Sequence, residues 1–247
     1  MTDTHDSDIV ISPRRNKNEK EIPAEGIFLV NPTEAIFEME TLKKKGAEYR
    51  FLFNSQLYIR DKTKFIAGPS IGAPMAALTM EKLIALGAKR IILFGWCGAI
   101  AKDLHLGDVL VPHLGLSGEG TSAYYLSKNE QPGPDSGLRN RVISLLNENG
   151  METHSGCVWS TDAVYREKRS LLSNLNKEHG VSAVDMEFSA LCSVALYREI
   201  EFAAVLVVSD EIWGESWRPG FSNKIFKKNT ALVRQLLINN HIGPQEK

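Results

Sequence analysis

Cysteine is scarce in this chain of 247 residues: Cys97, Cys157 and Cys192 are the only three, and they lie far apart. Three separated thiols make neither a disulfide framework nor a metal site by spacing, so reduced thiols and no metal or other cofactor are expected. Long apolar runs are missing too, since none approaches the roughly 20 residues of a membrane helix. Charge of one sign is absent: 29 Lys+Arg stand against 30 Asp+Glu, a formal net charge of −1. That balance removes the basic bias of a nucleic-acid binder. The N-terminus is polar and acidic, without the apolar centre of a signal peptide. Repeats, low-complexity tracts and linkers do not occur. These absences predict a cytoplasmic globular protein with neither nucleic acid nor membrane as partner.

What is present alternates. Gly26 to Val30 reads as a buried strand that Pro32 stops, with Asn31 or Thr33 capping a helix that holds Glu34, Phe37, Met39 and Leu42. Tyr49 to Ile59 reads as one strand and Lys64 to Ala67 as another. A glycine-rich turn, Gly68 to Pro74, then enters a helix from Met75 to Leu86. Its backbone N–H groups suit a polar or anionic ligand group, although such turns also serve as plain connections. Ile91 to Phe94 is a central strand that ends in Gly95-Trp96-Cys97-Gly98-Ala99, where glycines suit a close backbone approach. Further strands are expected at Asp108 to Pro112 and His154 to Thr161, and further helices at Gly137 to Asn149, Arg166 to His179 and Asn223 to Asn239. Alternating strands and helices predict an α/β fold: one three-layer α/β/α domain over 25–247, with a mixed, largely parallel sheet, behind a polar arm at 1–24.

The stretch from Val184 to Asp210 carries the chemistry. A strand ends on Val184-Asp185-Met186-Glu187, a small-residue helix follows, and a second buried strand ends on Ser209-Asp210. Carboxylates at the carboxyl ends of buried strands face the crevice where open α/β sheets bind ligands. The plainer alternative is that Glu187 and Asp210 cap helices and pair with lysines.

Three stretches together resemble the nucleoside phosphorylase superfamily, which includes purine nucleoside phosphorylases, uridine phosphorylases and adenosylhomocysteine/methylthioadenosine nucleosidases. They are Ser70-Ile71-Gly72-Ala73-Pro74; Gly95-Trp96-Cys97-Gly98-Ala99 after Lys89-Arg90-Ile91-Ile92; and Val184-Asp185-Met186-Glu187 with Ser209-Asp210. The resemblance implies a homo-oligomeric enzyme that takes a small-molecule nucleoside and uses water or inorganic phosphate as co-substrate. Met186 and Glu187 are implied to hold the ribose, and Asp210 to protonate or hydrogen-bond the leaving base. Val184, Asp185 and Ser209 would line the base site. Tyr165 or Val164 would flank the base, with a core aromatic as the alternative. Trp213 or Trp217 would close over it, and Arg218 would pair with Asp210 or stand in solvent. Gly72, Trp96 and Arg50 fall on the nucleophile side.

On that side the chain departs from the family. Phosphorylases carry Gly-Asp-Pro-x-Arg after the first strand, where this chain has Val30-Asn31-Pro32-Thr33-Glu34. Leu93 stands in place of a second arginine, and Trp96 in place of a serine or threonine. Arg50 corresponds to an arginine that hexameric relatives donate across an interface. Glu34 matches the glutamate that activates water in the nucleosidases; its plainer role is a first-turn carboxylate favoured by the helix dipole. The departures favour hydrolysis over phosphorolysis, and the residue type at Asp210 favours a purine. A non-catalytic nucleoside-binding protein is the alternative of another class. A nucleotide-dependent oxidoreductase is disfavoured, because Gly68 to Gly72 lacks the G-x-G-x-x-G pattern.

Overall fold

Strands covered by helices on both faces need apolar side chains pointing both ways, and the aliphatic runs of this chain supply them. The computed structural model describes residues 8–53, 55–60, 63–127 and 130–243. In chain order the elements are β1 (Glu25–Leu29), α1 (Pro32–Lys44), β2 (Glu48–Leu52), β3 (Ser55–Ile59), β4 (Lys64–Gly68), α2 (Ala73–Ala85), β5 (Arg90–Ala99), β6 (Val109–Leu110) and β7 (Leu114–Gly118). Then come α3 (Ser136–Glu148), β8 (Thr153–His154), β9 (Cys157–Thr161), α4 (Arg169–His179), β10 (Val181–Asp185), α5 (Phe188–Tyr197), β11 (Glu201–Glu211), β12 (Arg218–Pro219) and α6 (Lys224–Asn239).

The sheet runs β2-β3-β4-β1-β5-β10-β9-β7, and β11 adds to it through β5, β6 and β12. The pairs β1–β4, β1–β5, β5–β11, β9–β10 and β7–β9 are parallel. The β2-β3-β4 meander and the β5–β10 pair are antiparallel. One face packs Phe28, Leu93 and Phe202 against α2 and α5 through Met80, Leu83, Phe188 and Leu191. The other packs Ile27, Ile92 and Phe94 against α1, α3 and α6 through Met39, Leu138, Val142, Phe226 and Leu237. The expected three-layer α/β/α architecture with a mixed, largely parallel sheet is what the chain adopts.

The differences are local. Tyr49 to Ile59 is a hairpin, not one strand: β2 and β3 pair from Glu48↔Ile59 to Leu52↔Ser55, and Phe53 takes φ +50 at the turn. The apolar alternation runs through both arms, so the reversal leaves no mark on the pattern. His154 to Thr161 divides into β8 and β9. The half-exposed β7 lacks the apolar run that would announce a strand. β5 does not stop at Phe94 but continues through both glycines to Ala99.

Asn31 is the residue that caps α1, its side chain accepting from the Thr33 N–H at 2.9 Å. Among the described residues of the arm there is no strand or α-helix; Lys82 on α2 holds it by bonds to Glu19 Oε2 at 2.6 Å and the Arg14 carbonyl at 2.9 Å. Residues 1–7 of the arm and 244–247 of the domain lie outside the described residues. Among the described residues no helix is long and apolar enough to cross a membrane.

Candidate active site

The carboxyl-terminal ends of β5, β10 and β11 meet within the sheet, and a local irregularity redirects a side chain there. The β11–β5 register shifts between Val208↔Cys97 and Asp210↔Gly98, which leaves Ser209 as an extra residue. Such a bulge bends a strand and redirects the side chain beyond it. Here that side chain is Asp210. Gly98 makes room for it, because a Cβ there would lie 3.2 Å from Asp210 Oδ2.

The cleft so formed holds about 210 Å³ and is lined by Asn31, Trp96, Gly98, Val184, Asp185, Met186, Glu187, Ser209, Asp210 and Glu167, among others. A larger, mostly apolar groove of about 1060 Å³ lies between the arm, β2 and α2. It contains none of these carboxylates, and the smaller cleft is the candidate site.

Each carboxylate has a distinct set of partners. Asp185 is buried and acts as a helix cap: its Oδ2 accepts from the N–H groups of Glu187 (3.2 Å) and Phe188 (2.7 Å), and its Oδ1 from Ser160 Oγ (2.5 Å). Glu187 Oε1 accepts from the Gly72 N–H at 2.6 Å. Burial, and then the charge of Asp185, push the Glu187 carboxyl upward; burial pushes Asp185 up against the pull of its donors. Asp210 accepts from Ser209 Oγ–H at Oδ1 (2.6 Å) and from Trp217 Nε1–H at Oδ2 (2.8 Å). Glu167 Oε1 is shielded from water and has no hydrogen-bond partner among the described residues. Burial, and then the charge of Asp210, push its carboxyl up to about 7.

Gly72 has φ +84 and ψ 147 as the residue that begins α2, and this backbone shape is what turns its N–H toward Glu187. Nothing lies within 4 Å of a Cβ built there. Gly72→Ala therefore strains only the backbone, and we expect it to cost about 1–3 kcal/mol in urea unfolding. An unchanged midpoint would show that the conformation does not require glycine.

The structure brings together Gly72, Trp96, Val184, Asp185, Met186, Glu187, Ser209 and Asp210. It places five other residues elsewhere. Glu34 does not line the cleft: it is buried, and Arg234 on α6 holds its carboxylate in an ion pair. Arg50 lies on β2, bound to Glu48 (3.0 Å) and to the Lys20 carbonyl. Arg218 pairs with Glu211 at 2.9 Å and not with Asp210. Tyr165 is 97% exposed while its neighbour Val164 lines the cleft. Trp213 belongs to a separate surface pocket, and it is Trp217 that reaches Asp210. The reasons differ: Glu34 is taken by an arginine 200 positions away, whereas Arg50 and Arg218 are taken by carboxylates two and seven positions away.

Glu167 is the residue that sequence reasoning missed. It had been absorbed into an expected helix from Arg166, whereas α4 begins at Arg169 and Glu167 closes a 3-10 turn over Val164–Arg166. The available signal was position, since the turn follows β9, the parallel neighbour of β10, at its carboxyl end. Trp96 is wedged between Phe226 (ring centroids 5.1 Å) and Phe221 (6.0 Å), and Phe221 in turn meets Trp217 at 6.3 Å. Of this aromatic row, Trp96 lines the cleft.

Comparison with known proteins bears on this site. The chain is 28% identical over 147 residues to a guanosine phosphorylase of Halorubrum lacusprofundi, covering 60% of this chain and 61% of that one. It is 31% identical over 156 residues to a DeoD-type purine nucleoside phosphorylase of Jannaschia sp., covering 62% and 66%. The matches thus span less than two thirds of the length of these relatives. Among solved structures, a purine nucleoside phosphorylase of Toxoplasma gondii superposes with a TM-score of 0.74 at 22% identity, over 88% of this chain and 90% of that one. A futalosine hydrolase of Helicobacter pylori gives 0.73 at 19% identity, over 88% and 99%. The family model described as the phosphorylase superfamily matches residues 29–238, and the chain belongs to that superfamily.

Proposed function

We propose that this chain cleaves the N-glycosidic bond of a nucleoside, preferably a purine nucleoside, with water as the attacking group. The observation that carries the choice of water is the charge of the cleft. Asp185, Glu187, Glu167 and Asp210 line it, and among the described lining residues there is no lysine or arginine. Phosphate would enter as an anion beside acidic groups with no cation to offset it, and one like-charge pair at about 4 Å costs roughly 4 kcal/mol at an effective dielectric of 20. Arginine forks are the usual means of offsetting that charge, and Arg50 and Arg218 are engaged elsewhere. Water meets no such barrier.

In this reading Met186 packs on the ribose and Glu187 binds its hydroxyls. The Gly72 N–H fixes one Glu187 oxygen and leaves the other for the sugar. Asp210 stands on the base side, where Ser209 and Trp217 fix its orientation and it hydrogen-bonds the base as the bond to the sugar breaks. Glu34 and Arg50 receive no part. A purine is supported by the curated relatives, both named for purine nucleosides. Those names also favour a second reading, phosphorolysis to base and sugar 1-phosphate. The enzyme is read as cytoplasmic and homo-oligomeric, with the arm as a separate segment before the catalytic domain. A panel of purine and pyrimidine nucleosides, assayed for free base, tests the substrate class. Release from purine nucleosides is expected; thermal stabilisation by nucleosides with no base released from any would mean a binding protein instead.

A further inference from the structure

We propose that Glu167 is the general acid of this cleft, the group whose proton the departing base takes up. The inference rests on the nucleoside-cleaving reading given above and concerns which side chain carries the proton.

Elimination among the cleft's carboxyls leads there. A group that donates a proton must hold one before the reaction and must not already be accepting hydrogen bonds at both oxygens. Asp185 accepts three donors, two of them backbone N–H groups at the start of α5. Asp210 accepts the Ser209 hydroxyl and the Trp217 indole N–H, one on each oxygen. Glu187 is fixed by the Gly72 N–H beside Met186, on the side assigned to the sugar. Glu167 alone has a cleft carboxyl oxygen that is out of water and unpartnered. A buried carboxylate oxygen without a donor is costly, whereas a protonated carboxyl tolerates the position. The negative charge that Asp210 can carry opposes loss of that proton. The result is a carboxyl that titrates near neutral pH, which suits general acid work.

The surroundings of Glu167 do not supply a cation to reverse this. Asp210 faces it from β11, and Asp185 and Glu187 lie across the cleft at the end of β10. Arg166 and Lys168, its chain neighbours, are exposed, and Arg169 in the first turn of α4 donates to the Glu215 carbonyl.

The step balances. As the bond between the anomeric carbon and the ring nitrogen breaks, its electron pair goes to the base, and the Glu167 O–H proton goes to a ring nitrogen. Water bonds to the anomeric carbon through oxygen, and the proton it loses restores Glu167. The products are neutral base and free sugar.

The test compares wild type, Glu167→Gln and Glu167→Ala with guanosine and adenosine from pH 5 to pH 9. In wild type, kcat should fall as pH rises through about 7, because the carboxyl must be protonated to act. Glu167→Gln keeps the shape and an N–H donor but no transferable proton. Its kcat should drop by about 10²–10⁴-fold and lose the alkaline limb, while nucleoside binding by calorimetry changes by less than about threefold. Glu167→Ala should lose both rate and binding. A separate readout is stability: the raised carboxyl favours the folded state below its unfolded value, and that contribution is lost as pH rises through about 7. Glu167→Gln should therefore raise Tm relative to wild type at pH 8 and leave it unchanged at pH 4. A Glu167→Gln enzyme with wild-type kcat and an intact alkaline limb overturns the proposal while leaving the nucleoside reading in place. Wild-type protein that releases no base from either nucleoside removes both.

Discussion

Asp210→Asn is expected to lower turnover of a purine nucleoside by at least about 10²-fold while changing its affinity only several-fold. The substitution is isosteric, so the β11 bulge and the space left by Gly98 remain. What changes is charge and hydrogen-bond polarity. Both Asp210 oxygens accept protons, from Ser209 Oγ and Trp217 Nε1. An asparagine can keep its oxygen as acceptor for Trp217 Nε1–H and donate its NH₂ to Ser209 Oγ, whose proton the Cys97 carbonyl can accept, so the contacts survive with one polarity reversed. In the proposed mechanism a negative charge beside the departing base is lost as well, and one missing electrostatic partner of this kind typically costs 10²–10³ in kcat. A second consequence distinguishes this account from simple disruption. Asp210 is one of the two causes that hold the Glu167 carboxyl high. Removing its charge lowers that carboxyl, so the alkaline limb of residual activity should move to lower pH. Steady-state rates across pH, with nucleoside affinity from calorimetry, check both. Wild-type turnover in the variant would take Asp210 out of the mechanism.

The largest effect on stability is expected away from the cleft, at Arg234. This arginine is 5% exposed, pairs with Glu34 and lies 3.5 Å from Glu38 through Nε. Its guanidinium also stacks over the Phe37 ring, 4.4 Å from the centroid. Arg234→Ala leaves two carboxylates buried without their cation and opens the space behind Phe37. Losing one partner of a buried pair costs about 3–5 kcal/mol, which urea unfolding would report as a lower midpoint at constant slope. Adding Glu34→Gln should recover part of the loss, because it removes one of the stranded charges, and the double-mutant cycle gives the coupling directly. A loss below about 1 kcal/mol would contradict the account of Glu34 as a structural partner.

These two sites mark the boundary of what could be read from sequence. Asp210 and Glu187 were legible because local pattern places them: each ends a short apolar run, and a strand's carboxyl end is fixed by its neighbours in the chain. The layered fold was legible for the same reason, as apolar runs and caps recur at strand and helix lengths. Glu34 was legible as a first-turn residue, but its partner is 200 positions away. No local pattern joins α1 to α6, so an ion pair passed for a free carboxylate. Trp213 and Trp217 are equivalent by composition, and only the return of β12 along β11 decides which indole meets Asp210. Glu167 was hidden in a similar way, half-buried with only its Oε1 shielded from water. In sequence it stands among Arg166, Lys168 and Arg169, a solvated helix start by pattern. Its proximity to Asp210 arises from sheet order alone.

The proposed choice of water over phosphate rests on the acidic lining of the cleft, and one measurement addresses it. Purified enzyme, freed of phosphate, is given a purine nucleoside with and without added inorganic phosphate, and both the base and the sugar product are identified. The account predicts base release at the same rate in both, with free ribose as the sugar. Release that requires phosphate and yields ribose 1-phosphate would contradict it.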